Sequence, residues 1–268
     1  MTSFYLDHPL NFAHRGASAE APQNTLPAFM LAIDLGADGI EFDVQLSKDG
    51  QPVVIHDFVV DTTTDGRGRV RDKTLAELKE LDAGRRFAPL FAGERIPTLD
   101  QVLDAVGSRL LLNVELKTPG ASDNGLAAAV IDRLARRGLL ERAVLSSFNP
   151  LAVWRARRLN PHVATGMLYA ESLPFFLRRP WLRRVVRPSA LHPHHSLVNE
   201  AYVRWARKQG YRVNVWTADD PGDMWRLVRA GVDTIITNRP DLLLEVLRAA
   251  ERSRDETGRP DRAALQES

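Results

Sequence analysis

The stretch Gly39-Ile40-Glu41-Phe42-Asp43-Val44, followed by Gln45-Leu46-Ser47-Lys48-Asp49-Gly50-Gln51-Pro52 and then Val53-Val54-Ile55-His56, reads as two strands joined by a short turn. The first run is apolar except at Glu41 and Asp43, the pattern of a strand covered on both faces. Asp-Gly is a strong hairpin signal, and a parallel crossover needs about 10–12 connecting residues or more, which 45–52 does not supply. Residues 53–56 are therefore expected to return antiparallel beside the first run, extending it above the rest of the sheet. That return brings His56 alongside Asp43.

Outward from this pair, near-continuous apolar runs recur at 11–14, 110–116, 143–147, 163–168, 190–192, 212–217 and 234–237. Amphipathic helical patterns separate them, at 24–35, 123–137, 150–159, 199–209 and 221–230, the last stopped by Gly231. A closing helix is expected over 241–250. Alternation of buried strands with helices means a parallel α/β fold, and eight strands, with 53–56 set aside, point to a (β/α)8 TIM barrel. A barrel of this kind takes about 250 residues, so the 268-residue chain reads as one domain over 1–250. Residues 58–97 fit the barrel pattern poorly: Thr62-Thr63-Thr64-Asp65-Gly66-Arg67-Gly68 is loop chemistry and 74–81 is one short helix. They are expected to form a small insertion on the catalytic face, after the second strand unit, with the outer helix resuming near Thr98. The charged stretch 251–268 is expected to be a disordered tail.

Composition excludes several classes. No apolar run approaches the roughly 20 residues of a bilayer span, and the first residues lack the basic and apolar regions of a secretory signal, so a cytoplasmic enzyme is expected. The chain has no cysteine, which removes disulfides and thiolate chemistry, and its net charge of +2 is too small to argue for nucleic acid. No GxGxxG, P-loop or GxSxG motif is present to suggest nucleotide or acyl chemistry.

Barrel enzymes carry their catalytic groups at the C-terminal ends of strands. Read off there, this sequence offers His14 and Arg15, Glu41 and Asp43, Glu115 and Lys117, then Trp216 and Thr217. Residues two apart in a strand project to one side, so Glu41 with Asp43, and Glu115 with Lys117, face the same barrel mouth. Three converging carboxylates repel one another. A hard divalent cation with oxygen ligands, Mg2+ or Ca2+, relieves that repulsion; neutralisation by Lys117 or Arg15 alone is the metal-free alternative. His14 and His56 titrate near neutrality and suit a general acid/base pair. Arg15 and Lys117 suit phosphate oxygens. Phe148 and Trp216 sit at strand ends as walls for a substrate or as rim packing. His192, His194 and His195 form a second group, read either as a metal site or as rim and wall. The set as a whole suits phosphoryl transfer.

Those residues carry a resemblance. His14-Arg15-Gly16 leading to Pro22-Gln23-Asn24-Thr25, then Glu41-Phe42-Asp43-Val44, Lys48-Asp49-Gly50, His56-Asp57 and Glu115-Leu116-Lys117 resemble a glycerophosphodiester phosphodiesterase of the phospholipase-C-like superfamily. The likeness continues through Ser146-Ser147-Phe148, Val215-Trp216-Thr217 and Gly231-Val232-Asp233-Thr234-Ile235-Ile236-Thr237-Asn238-Arg239-Pro240, and covers about residues 10–247. It implies a distorted barrel, a metal site at Glu41, Asp43 and Glu115, and His14 and His56 as acid and base. The substrate it implies is a glycerophosphodiester cleaved to glycerol 3-phosphate and an alcohol. Gln23 stands where the family usually has Glu, and Ala218-Asp219-Asp220 where it often carries Asn. Neither departure touches a metal ligand or a histidine. Lysophospholipids as substrates, a reaction that stops at a cyclic phosphate, and a non-catalytic phosphoester binder remain alternatives. So do water and the substrate's own hydroxyl as nucleophile, and either histidine as the base.

One further segment stands out. Residues 173–188, Leu-Pro-Phe-Phe-Leu-Arg-Arg-Pro-Trp-Leu-Arg-Arg-Val-Val-Arg-Pro, interleave five arginines with apolar side chains. They read either as a solvated basic helix or as a segment that touches anionic membrane surfaces.

Overall fold

A computed structural model describes residues 4–6, 8–118, 120–121, 124–172, 174 and 178–257, with 254–257 as backbone. Eight strands close a parallel ring: β1 (Leu10–His14), β2 (Gly39–Leu46), β4 (Leu111–Leu116), β5 (Ala143–Ser147), β6 (Ala164–Tyr169), β7 (Ala190–Pro193), β8 (Arg212–Val215) and β9 (Thr234–Thr237). Pairing of β1 with both β9 and β2 completes the closure. The ninth strand, β3 (Pro52–Val54), pairs antiparallel with β2, Val54 opposite Val44 and Pro52 opposite Leu46, outside the ring. This is the return predicted from the Asp-Gly turn, where Gly50 takes φ +75°.

Helices fill the crossovers: α1 (Leu26–Asp34), α3 (Leu99–Val106), α4 (Leu126–Arg136), α5 (Pro150–Leu159), α6 (Arg183–Val186), α7 (Glu200–Lys208) and α8 (Pro221–Ala230). Their starts follow local chemistry. Thr98 and Gln101 form a capping box that opens α3, as Thr74 and Glu77 do for the short insertion helix α2 (Leu75–Lys79). Asp220 caps α8, which stops at Gly231 in the left-handed region. The closing helix α9 (Pro240–Thr257) runs past Ala250, so residues 251–257 of the expected tail are helical. Residues 258–268 of that expected tail lie outside the described residues.

The insertion has a core of its own. Val53, Ile55, Val60, Val70, Leu78, Ala83 and Ile96 pack together, and buried Asp82 ties the loop by accepting backbone N–H bonds from Gly84, Arg85 and Gly93. Main-chain bonds hold it beside β2: Val54 N–H of β3 donates to Pro97 O at the end of the insertion, and Ile55 N–H donates to Asp43 O of β2.

Inside the ring, small residues make room for large ones, as in a packed barrel core. Gly166 of β6 faces the buried His192 of β7, and a Cβ at Gly166 would fall 2.3 Å from His192 Nε2. Gly166→Ala is expected to cost about 1–3 kcal/mol through overpacking, read as a lower urea midpoint at unchanged m-value. A midpoint equal to wild type would show that the His192 ring moves aside freely. Among the described residues no helix is long and apolar enough to cross a membrane.

Candidate active site

β1 delivers His14 at its C-terminal end, and the chain then turns sharply. Arg15 adopts φ +56° and Gly16 φ +84°, where a Cβ on Gly16 would strike the Ala28 backbone at 2.7 Å. That turn keeps α1 close to β1. It also returns Asn24 (φ +59°) so that its N–H bonds Arg15 O. Asn24 Nδ2 then donates to Asp43 Oδ2 at 2.9 Å while the Asp43 N–H points to Asn24 Oδ1 at 3.3 Å, a two-way clamp on one carboxylate.

Glu41, Asp43 and Glu115 are buried, and each offers an oxygen within 4.8 Å of the others. Among the described residues this is the group of acidic and imidazole ligands close enough to share an ion. Arg15 Nε lies 3.3 Å from Asp43 Oδ2, and Lys117 Nζ lies 3.1 Å from Glu115 Oε1 and 3.7 Å from Asp43 Oδ1. Burial and the neighbouring Asp43 and Glu115 charges push Glu41 well above the ordinary carboxylate range. Burial drives Glu115 up to about 7. Burial acts on Asp43 in the same direction, but Lys117 and Arg15 outweigh it and hold that carboxyl low.

Both histidines present the same nitrogen to the site. Asn238 Nδ2 donates to Asp219 Oδ2 at 2.7 Å, so its Oδ1 must face His14 Nδ1, 2.7 Å away. His14 Nδ1 is then the donor, and Nε2 keeps its lone pair, 3.8 Å from Glu41 Oε2. His56 Nδ1 lies 2.6 Å from the Asp57 carboxylate, which can only accept, so His56 Nε2 is also left open. Burial and the Arg15 charge lower His14 to about 4. Burial also lowers His56, partly offset by Asp43. Gln45, one alternation above Asp43, holds the arm that carries His56: its Nε2 donates to the carbonyls of Ile55, His56 and Asp57.

These groups line one cavity of about 190 Å³ at the C-terminal mouth of the barrel, shared by His14, Arg15, Glu41, His56 and Glu115. Phe148 and Trp216 wall it, their rings edge to face at 5.3 Å. Asn113 and Ser146, joined by a 2.8 Å hydrogen bond, lie beneath. Lys117 and Asp43 are not part of the lining; the Lys117 ammonium lies against the Glu115 and Asp43 carboxylates. The second histidine group divides: the His194 and His195 rings stay in contact at 4.4 Å while His192 is set apart, and among the described residues the three do not form a ligand cluster. His192 is buried with its Nε2 on Asn214, His194 packs edge-on against Trp216, and His195 faces Asp223. The sequence reading assigned no role to Gln45, Asn238, Asp219 or Asn113. Asn113 and Gln45 follow the same alternation as Glu115 and Asp43, so their inward direction was readable in principle.

A pocket pairing clustered carboxylates with two open imidazole nitrogens suits cleavage of an anionic ester. The model of the glycerophosphoryl diester phosphodiesterase family matches residues 14–242. A glycerophosphodiester phosphodiesterase of Caldanaerobacter subterraneus subsp. tengcongensis is 42% identical over 241 residues, spanning 89% of this chain and 98% of its own. Among solved structures, a phosphodiesterase of Oleispira antarctica in complex with the product sn-glycerol 3-phosphate superposes with a TM-score of 0.81 at 33% identity, covering 90% and 97% of the two chains. A glycerophosphodiester phosphodiesterase from Agrobacterium tumefaciens gives 0.77 at 30% identity, covering 88% and 99%. The chain belongs to the glycerophosphoryl diester phosphodiesterase family, and its fold is that family's TIM barrel.

Proposed function

We propose that this enzyme hydrolyses glycerophosphodiesters to glycerol 3-phosphate and an alcohol, with a divalent cation, Mg2+ or Ca2+, held by Glu41, Asp43 and Glu115. The observation that carries the reading is one small cavity lined by Glu41, Glu115, His14 and His56, with the Asp43 carboxylate within 4.8 Å of both glutamates and the Nε2 atoms of both histidines left open. The trio fits a hard dication: its donors are all oxygen, Asp43 Oδ1 is buried without a hydrogen bond, and Arg15 with Lys117 leaves one of three negative charges unmatched. When bound, the cation polarises a phosphoryl oxygen and offsets charge that develops on the phosphate.

The chain's own groups account for the rest. Arg15 lines the cavity and meets the phosphate, while Lys117 steadies Glu115 and Asp43 and adds positive charge beside them. His14, neutral and locked with Nδ1–H on Asn238, accepts the proton of the attacking oxygen. His56 carries a proton to the leaving alcohol, its imidazolium steadied by Asp57. Phe148 and Trp216 wall the organic side of the substrate. A non-catalytic binder would have no use for two histidines positioned in this way.

The decisive assay couples glycerol 3-phosphate release from glycerophosphocholine or glycerophosphoethanolamine to a dehydrogenase. Release in Mg2+ or Ca2+ is expected, with loss in EDTA and recovery when the cation returns. No release from any glycerophosphodiester with either cation would overturn the reading. The Asn24 clamp gives a finer expectation. Asn24→Ala leaves Asp43 unguided and should weaken metal affinity about 10–100-fold, the usual cost of losing a group that orients a ligand. A titration of rate against cation concentration measures it, and an unchanged midpoint would show that the clamp is not needed.

A further inference from the structure

We propose that one flank of the barrel, built from α5 and residues 178–187, docks on an anionic phospholipid bilayer. The charge there is one-sided. Between Pro150 and Pro188 the chain carries eight arginines against a single glutamate, Glu171, in a protein whose net charge is only +2. α5 has no acidic residue, and neither does the 178–187 strip packed beside it. The expectation of a basic helix over 173–188 is met only in part: α6 is the one helical turn among its described residues, and Leu173 and 175–177 lie outside them.

α5 and α6 together enclose a groove of about 620 Å³ lined by Trp154, Arg157, Arg158, Arg184, Val185 and Arg187. No ion pair among the described residues engages these four arginines, and the guanidinium of Arg158 lies 5.0 Å from the Trp154 ring. Large apolar side chains stand exposed on the same two segments: Val185, in the groove, is 69% accessible, Trp181 56%, Leu159 52% and Leu182 47%. Single exposed apolar residues are ordinary, but four on two short segments that carry only one sign of charge are not.

Two partners could match that charge. Nucleic acid would satisfy the arginines yet leave Leu159, Leu182 and Val185 facing water and phosphate. A bilayer interface takes both, with guanidinium groups on lipid phosphates, Trp rings at the headgroup level and aliphatic side chains just below. The geometry therefore favours anionic lipid. This proposal does not depend on the metal or on the reaction chemistry.

The test is co-sedimentation of the full chain with vesicles of phosphatidylcholine alone or with about 30% phosphatidylglycerol, across a salt series. Binding to the anionic vesicles, at least about tenfold above the neutral ones and lost at high salt, is expected. The triple variant Arg158→Glu, Arg184→Glu, Arg187→Glu should weaken it by roughly 10²-fold or more, and Leu182→Ser with Val185→Ser should weaken it without changing net charge. Thermal melts of both variants matching wild type would show that folding is intact; all these positions are exposed. Equal sedimentation with both vesicle types would overturn the proposal, as would full binding by the triple variant. Binding to a short DNA duplex with none to vesicles would also overturn it, in favour of nucleic acid.

Discussion

Replacing either His14 or His56 with alanine is expected to lower kcat for glycerophosphodiester hydrolysis by about 10²–10⁴-fold, with KM changed far less. The argument rests on orientation. Asn238, held by Asp219, fixes His14 with its Nδ1–H turned away, and Asp57 does the same for His56. Each ring therefore offers Nε2, and only Nε2, to a reacting oxygen. Burial and Arg15 keep His14 neutral at any pH well above about 4, so it begins the cycle able to accept a proton. Burial lowers His56 as well, but Asp43 and the Asp57 carboxylate at its back act the other way, so its imidazolium is the better supported of the two and suits delivery of a proton to the leaving group. The two roles are separable. A p-nitrophenyl ester leaves without needing a proton, so the loss in His56→Ala should shrink to about tenfold on that substrate while the loss in His14→Ala persists. Equal losses on both substrates for His56→Ala would remove it as the acid. A His14→Ala enzyme that keeps wild-type kcat would remove His14 from the reaction.

Much of this site is readable from strand periodicity, and the parts that are not have a common physical cause. Glu41, Asp43 and Glu115 announce themselves because charges at alternate positions in an apolar strand have one place to go, the barrel mouth. The hairpin that returns His56 is legible because Asp49-Gly50 permits a tight turn and the connection is too short for anything else. Asn238 and Asp219, in contrast, reach His14 from the far end of the chain, across a contact between β1 and the loops after β9 and β8 that only closure of the ring creates. Lys117 reads as a phosphate clamp by its spacing from Glu115, while its second carboxylate contact, to Asp43 on the neighbouring strand, comes only from the pairing of β2 with β4. The insertion reads as loop because its apolar residues are scattered. Val60, Val70, Leu78 and Ile96 form a core only after the backbone has folded around β3. The end of α9 was missed for a simpler reason: charge in 251–257 marks a solvated face as readily as a disordered tail.

The carboxylate trio carries the second large effect, and it changes sign with the metal. In metal-free protein at about pH 8, Glu115→Gln is expected to raise Tm by a few degrees, while in the presence of Mg2+ or Ca2+ it should abolish activity. Burial lifts Glu115 to about 7, against roughly 4.3 in an unfolded chain, and burial with the Asp43 and Glu115 charges lifts Glu41 well above its ordinary range. Between those two values the folded protein holds more protons than the unfolded one, so stability falls as pH rises through that window, and the penalty stays in force above it. Asp43, held low by Lys117 and Arg15, works the other way: it stabilises above its unfolded range and loses that contribution on acidification. Burial at Glu115 outweighs the attraction of Lys117 3.1 Å away and disfavours its charge, which is why an uncharged glutamine of the same shape should be better tolerated there. A bound dication reverses the balance. It stabilises the wild type by about 2.7 kcal/mol at a hundred times its dissociation constant, and the variant, short of one ligand, should not share the gain. Melting curves at about pH 5.5 and 8, each with and without cation, read out every part of this. A wild-type Tm indifferent to both cations would leave Arg15 and Lys117 as the sole counterions of the trio and remove the metal from the site.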